Sequence, residues 1–272
     1  MTLVWAPIVI VVAAGLAIAA MLLVRRNAPD GGYFNDGDRA SGVFGVLATG
    51  FAILLGFVVF LAFESFDQSR AGAETEAVVV MQQFRTAQFM PDAVGEDLAD
   101  GLVCYGRSVT EQEWPRMDSA AVSDEFNPWG VDLFRVLERA DPKSATEQTA
   151  FDKWMDQTID REQARNDRIH GAEGVIPTAV WIALAFMALL ILTYMLFFAD
   201  SGERAVVQAL LIGSVVSMMV ATLAVIRVLD DPFGAGGLKP VAMERTLTKL
   251  EEGRRVVGET GPLPCDARGR SL

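Results

Sequence analysis

The side chains with the richest chemistry are scarce in this chain of 272 residues: histidine occurs once, at His170, and cysteine twice, at Cys104 and Cys265. One histidine leaves no His-pair metal site and little scope for imidazole acid/base catalysis, so His170 reads as a polar residue capping the approach to the third long apolar block. Cys104 and Cys265 are far apart in sequence and lack the short spacing of zinc ligands; they read as free thiols, with neither a metal nor a disulfide framework. The sequence contains no phosphate-binding loop, dinucleotide glycine pattern, nucleophile elbow or HExxH motif. No enzyme and no cofactor is therefore expected. The acids of the central segment are interleaved with arginine, the pattern of a solvated helix face.

What remains is the chemistry of permeation. Thr49, Ile53 and Phe57 recur every four residues in an apolar block and so lie close to one helix face, with Gly50 and Gly56 allowing close backbone approach. Around the axis of a ring oligomer that face would line a narrow apolar neck of the kind that gates by dewetting. The plainer reading is lipid-facing or packing side chains, and periodicity alone favours it. Phe60, Phe63 and Phe66 continue the aromatic run at spacing three, which suits either. Glu64 and Asp67, just past the block, would form a charged ring at a pore mouth in an oligomer and would simply be solvated on a monomer. Ser214, Ser217, Thr222 and Gly213 in the fourth block are of the size that lets membrane helices pack closely. Glu203 and Arg204 balance each other at a hairpin tip, where an exposed pair contributes little.

These residues are carried by four apolar blocks, Trp5 to Val24, Val43 to Phe63, Val175 to Phe198 and Ala205 to Val228. Each is long enough to cross a hydrocarbon core of about 30 Å. A mean hydropathy of +0.31 with 21% charged residues would also suit a soluble domain, so segregation decides: Arg227 is the only charge within the four blocks. The first block reads as a span rather than a cleaved leader, because no basic residue precedes it and its apolar core outruns a leader's. A net charge of −12 excludes nucleic acid, since phosphate binding needs a basic surface.

The fold class is therefore all-α, an integral membrane protein with a helical extramembrane domain inserted between spans 2 and 3. The expected divisions are 1–64 (spans 1 and 2), 65–174 (helical domain), 175–229 (spans 3 and 4) and 230–272 (turn, short helix and tail). After Arg25-Arg26 and a loop over 27–42, one helix is predicted from about Val43 to Phe89, roughly 70 Å long at the α-helical rise, ending before Pro91. A helix from Asp92 to Trp114 is expected to stop at Pro115, Asn127 to cap a helix with Pro128 at its first position, and Ser144 and Glu147 to form a capping box on a helix running to about Arg168. Pro177 opens the third span, Ala199 to Arg204 make a tight hairpin, and a short amphipathic helix covers Val241 to Glu252. The last fifteen residues are expected to be disordered. Trp114, Trp129 and Trp154 are either core residues or anchors for a partner protein, the second of which would make the chain a membrane-anchored interaction module. Counting Arg70, Arg161, Arg165, Arg168, Arg227 and Lys239 against Arg25, Arg26, Arg39 and Arg204 leans toward a cytoplasmic helical domain; the Arg25-Arg26 pair argues the other way.

Two motifs add a resemblance. Leu54-Leu55-Gly56-Phe57, running on through Phe66-Asp67-Gln68-Ser69-Arg70 into a helical domain, and Asp231-Pro232-Phe233-Gly234 after the fourth span resemble the bestrophin superfamily. The layout is similar to the bacterial bestrophin-like domain proteins over nearly the whole chain. The resemblance implies a pentamer in the bacterial inner membrane, passing inorganic ions through a central pore lined by the second span, with its neck at Thr49, Ile53 and Phe57. Thr49 departs from the family's apolar residue there. Calcium-regulated animal bestrophins follow the Pro-Phe turn with an acidic cluster; here Ala235-Gly236-Gly237-Leu238-Lys239 supplies no carboxylate, so calcium gating through that site is not expected.

Overall fold

Long runs of Ala, Leu, Val and Met without an interior proline favour helix wherever the backbone must satisfy its own hydrogen bonds, as it must in lipid. The computed structural model describes residues 5–29, 33–34, 36–118, 127–258 and 261–272. Among these the regular structure is all helical, apart from one isolated β-bridge between Cys265 and Ser271. The helices are α1 (Ala6–Arg26), α2 (Gly37–Ala87), α3 (Asp92–Ser108), α4 (Trp114–Asp118), α5 (Pro128–Glu138), α6 (Ala145–His170), α7 (Thr178–Phe197), α8 (Ala205–Leu229) and α9 (Val241–Val257), with a π-helical turn over Val109–Glu113. Of these, α1, α2, α7 and α8 are long and apolar enough to cross a membrane. The chain divides into two compact units, residues 1–65 with 174–230 and residues 66–173 with 231–272, and α2 supplies residues to both.

In the first unit α1 packs on α8 through Ala17, Met21, Ile212 and Val216. A Cβ at Gly213 would meet Ile18 Cδ1 at 3.1 Å, so this glycine is a packing residue on α8. The first part of α2 packs on α7 and α8 through Phe51, Val58, Leu184, Ile191, Met219 and Ile226. The hairpin between α7 and α8 is held from α1: Arg25 donates from Nε to the carbonyl of Asp200 and from Nη2 to that of Ser201, both at 3.0 Å, and also to that of Glu203. A single guanidinium thus gathers three carbonyls beyond the end of α7, and Gln208 Nε2 adds a second donor to that of Asp200 at 3.0 Å. Asp230 does the reverse at the start of α7, its Oδ1 accepting from the amides of Val175 and Ile176 at 2.8 and 3.0 Å.

The second unit is a helical bundle in which α3 packs on α5 and α9. Its core joins Val80, Leu98, Leu102, Val103, Leu133 and Met243 with the three tryptophans. Trp114, Trp129 and Trp154 are all buried. Trp114 Nε1 donates to the carbonyl of Leu238 at 3.2 Å and Trp129 Nε1 to that of Gly269 at 2.6 Å, so they are core residues rather than partner anchors. The expected caps are present: Asn127 Oδ1 accepts from the amide of Trp129, and Ser144 and Glu147 form the reciprocal box at the start of α6. At Gly72 a Cβ would overlap the backbone nitrogen of Arg168, so α2 and α6 touch backbone to backbone there.

Three expectations are overturned. Cys104 and Cys265 are not free thiols but a disulfide, with Cα atoms 5.8 Å apart across 161 residues of sequence. The end of the chain is not disordered over its described part: it returns to α3 and the π turn, Arg107 Nη1 donating to the carbonyl of Asp266 at 3.3 Å and Gln112 Nε2 to that of Arg268 at 2.8 Å. Pro115 does not stop the helix, which continues to Asp118. The cause is the π turn. Trp114 donates its amide to the carbonyl of Val109 five residues back, which widens the turn where a proline ring would otherwise collide with the carbonyl of Glu111.

Candidate pore-lining face of the second helix

Within the first unit α2 has two unlike faces. Phe51, Val58 and Ala62 are buried against the other helices, whereas Ile53, Phe57 and Phe60 are 57%, 66% and 62% exposed. Thr49 is exposed on the same stripe, its hydroxyl satisfied by donating to the carbonyl of Gly45 at 2.8 Å. The four-residue spacing thus brings Thr49, Ile53 and Phe57 to one uncovered apolar face. The two glycines differ: a Cβ at Gly50 would lie 4.0 Å from Met187 on α7, while one at Gly56 would meet nothing within 4 Å. Glu64 and Asp67, one turn apart on α2, are both exposed.

The Asp231-Pro232-Phe233-Gly234 sequence makes a turn whose aromatic residue faces inward. Phe233 is buried, its ring edge-on to Trp114 at 5.4 Å. The turn is closed by the amide of Leu238 donating to the carbonyl of Pro232 at 2.7 Å, with Gly236 at φ 95, a left-handed conformation that favours glycine. It anchors the chain after α8 into the core of the second unit. Among the described residues no group of three His, Cys, Asp or Glu side chains could hold a metal ion.

A buried ion network among the described residues has no local signature in the sequence. Arg168, wholly buried on α6, donates from Nε to Glu76 Oε2 and from Nη2 to Glu113 Oε2, both at 2.5 Å. Tyr105 donates its hydroxyl to Glu76 Oε1 at 2.5 Å. Arg165 donates from Nε and Nη2 to Glu113 Oε1 at 3.2 and 3.1 Å. Burial pushes the Glu113 carboxyl up, but Arg168 and Arg165 together outweigh it and hold it below the usual glutamate range. Burial and then Glu76 push the Tyr105 hydroxyl well above its usual value, so it stays a donor. Four helical pieces meet here: α2 gives Glu76, α3 Tyr105, the π turn Glu113, and α6 Arg165 and Arg168. Periodicity could have signalled only that Glu76 falls in an apolar stretch, between Ala73, Ala77 and Val80.

The sequence profile of the Bestrophin-like domain family matches residues 9–238. No curated protein sequence matches the chain. Among solved structures, variants of a bacterial bestrophin homologue from Klebsiella pneumoniae share the fold: one superimposes with a TM-score of 0.67 at 13% identity, covering 96% of this chain and 100% of that one. Two others give TM-scores of 0.61 and 0.62 at 14% and 15% identity, each covering 89% of this chain and 98% and 99% of theirs. A profile match over most of the length, four membrane-spanning helices and a fold shared end to end lead to one assignment: the chain is an all-α membrane protein that belongs to the Bestrophin-like domain family.

Proposed function

We propose that the protein is a non-enzymatic ion channel assembled as a pentamer, with the exposed stripe of α2 turned to the central axis, Thr49, Ile53 and Phe57 forming an apolar neck, and Glu64 and Asp67 forming an acidic mouth. The observation that carries this is the uncovered aromatic face of α2 opposite a face packed on α7 and α8. Gly56, open on that face, would let neighbouring α2 helices approach closely. Carboxylates at the mouth favour cations over anions. The residues that follow the Pro-Phe-Gly turn, Ala235 to Lys239, carry no carboxylate, which supports a reading without calcium gating through that place. The experiment is single-channel recording of the purified protein in planar bilayers under asymmetric KCl, wild type beside Phe57→Ala. Discrete currents whose amplitude or open probability rises severalfold in the variant are expected. Unchanged currents would remove the neck from α2, and silence from correctly inserted wild type would leave a membrane-anchored interaction module.

We infer separately that the helical domain lies outside the cytoplasm, against the cytoplasmic side to which the full count of basic residues leaned. The count of basic residues that leaned the other way included Arg161, Arg165 and Arg168, which lie within the folded bundle. Long translocated domains contribute little to the charge rule, which is read from short loops. The short loops on the opposite face carry Arg25, Arg26, Arg39 and Arg204, and the Cys104–Cys265 disulfide belongs to an oxidising compartment. With the native cysteines paired, a cysteine introduced by Glu138→Cys at an exposed position of α5 should react with a membrane-impermeant maleimide in intact bacterial cells. Labelling only after lysis would return the domain to the cytoplasm.

A further inference from the structure

Arg161 is 1% exposed, yet no carboxylate among the described residues lies within ion-pair distance of it. Its neighbours are neutral: Nη1 donates to Gln83 Oε1 at 3.0 Å, and the guanidinium carbon sits 4.9 Å from the centroid of the Tyr105 ring. The nearby acids are committed elsewhere, Glu76 to Arg168 and Tyr105, and Glu113 to Arg168, Arg165 and Asn127. Arg161 is therefore a buried cation whose direct partners are an amide oxygen and an aromatic face, in a chain whose net charge is −12. A buried ion without a counter-ion is costly, and the face of a tyrosine offsets only part of that.

The guanidinium borders a cavity of about 280 Å³ between α5 and α6, also lined by Arg165, Asn166, Tyr105, Val131 and Phe134, with the exposed Glu162 among its lining residues. Nη2 is turned toward Gly130, 3.9 Å from where a Cβ would stand. We propose that this cavity is a binding site for a small carboxylate with a short apolar body, the carboxylate meeting Arg161 and the body resting on Val131 and Phe134. A guanidinium presents donors as a planar fork that matches a carboxylate. The volume, just under the usual range of about 300–1,000 Å³ for ligand pockets, limits the ligand's body to about the size of one small ring. The site lies within the helical unit and does not depend on the pore reading.

The test is calorimetric titration of the detergent-purified full-length protein with sodium benzoate, beside sodium chloride and sodium phosphate at matched ionic strength. Saturable benzoate binding is expected, at least tenfold tighter than either inorganic anion, falling at least tenfold in Arg161→Gln. Gly130→Val, which narrows the cavity beside the guanidinium while keeping its charge, should weaken benzoate binding similarly while leaving the melting temperature near wild type, and it carries the test if Arg161→Gln does not fold. No saturable benzoate binding, equal binding of the inorganic anions, or full binding by the Gly130→Val protein would each overturn the proposal.

Discussion

Replacing Arg168 by methionine should lower the stability of the helical unit by about 3–5 kcal/mol, the cost of leaving buried carboxylates without their cation. Both acids are affected at once: Glu76 is wholly buried and loses the guanidinium that pairs with it, and Glu113 keeps Arg165 and the Asn127 amide among the described residues. The measurement is the thermal midpoint of the detergent-purified protein followed by circular dichroism. Arg165→Met should cost less, because Arg165 is partly solvated and Arg168 still faces both acids. The decisive comparison is the triple variant Glu76→Gln, Glu113→Gln, Arg168→Met. Buried ion triads replaced by well-packed apolar residues are often no less stable than the original; the triple variant removes all three charges at nearly constant volume, so it should recover much of what Arg168→Met alone loses. An Arg168→Met protein as stable as wild type would mean the carboxylates find water or another cation, and the buried network would not be what holds α6 to α2.

The contrast between the helices and this network shows what a linear sequence can carry. Spans, caps and hairpins are written in neighbouring residues: the apolar runs of α1, α7 and α8, the Asn127 cap, the Ser144 box and the short connection from Ala199 to Arg204 each need only a few adjacent positions to specify them. The Thr49, Ile53 and Phe57 stripe was legible for the same reason, since a four-residue repeat on a continuous helix fixes a shared face. Glu76, Tyr105, Glu113 and Arg168 are brought together from four separate segments, and each taken alone looks like a solvated helical residue. The π turn compounded this, because an i to i+5 bond before Pro115 changes the phase of all that follows and leaves no periodic trace. The cysteine pair failed differently. Spacing is informative when it is short, and at 161 residues apart it says nothing about whether two sulfurs meet. Gly269 is the nearest to a local clue: its φ of 71 and its contact with Ser108 require glycine, marking a close return of the chain.

Breaking that return is the second large effect expected. Cys265→Ser, or reduction of the wild type, opens a closure across 161 residues, and loop entropy alone would make the cross-link worth about 5 kcal/mol for a free coil. The unfolded reference here is not a free coil. Between the two cysteines run α7 and α8, which stay in the bilayer when the helical unit unfolds and already restrict where the chain ends can go. The loss should therefore lie nearer 2–3 kcal/mol, toward the lower part of the range for native disulfides. It should also have a local signature. In the intact protein the amide of Leu272 donates to the carbonyl of Pro264 and that of Gly269 to Asp266, both at 3.0 Å, while Trp129 holds the carbonyl of Gly269 from the core. Hydrogen exchange over residues 261–272 should speed up at least tenfold in Cys265→Ser, with α6 little changed, because the tail's remaining hydrogen bonds are too few to hold it against solvent. Equal exchange in the two proteins would show that Trp129, Arg107 and Gln112 suffice to seat the tail; a melting temperature unmoved by either mutation or reductant would show that the sulfurs are not joined in the folded protein.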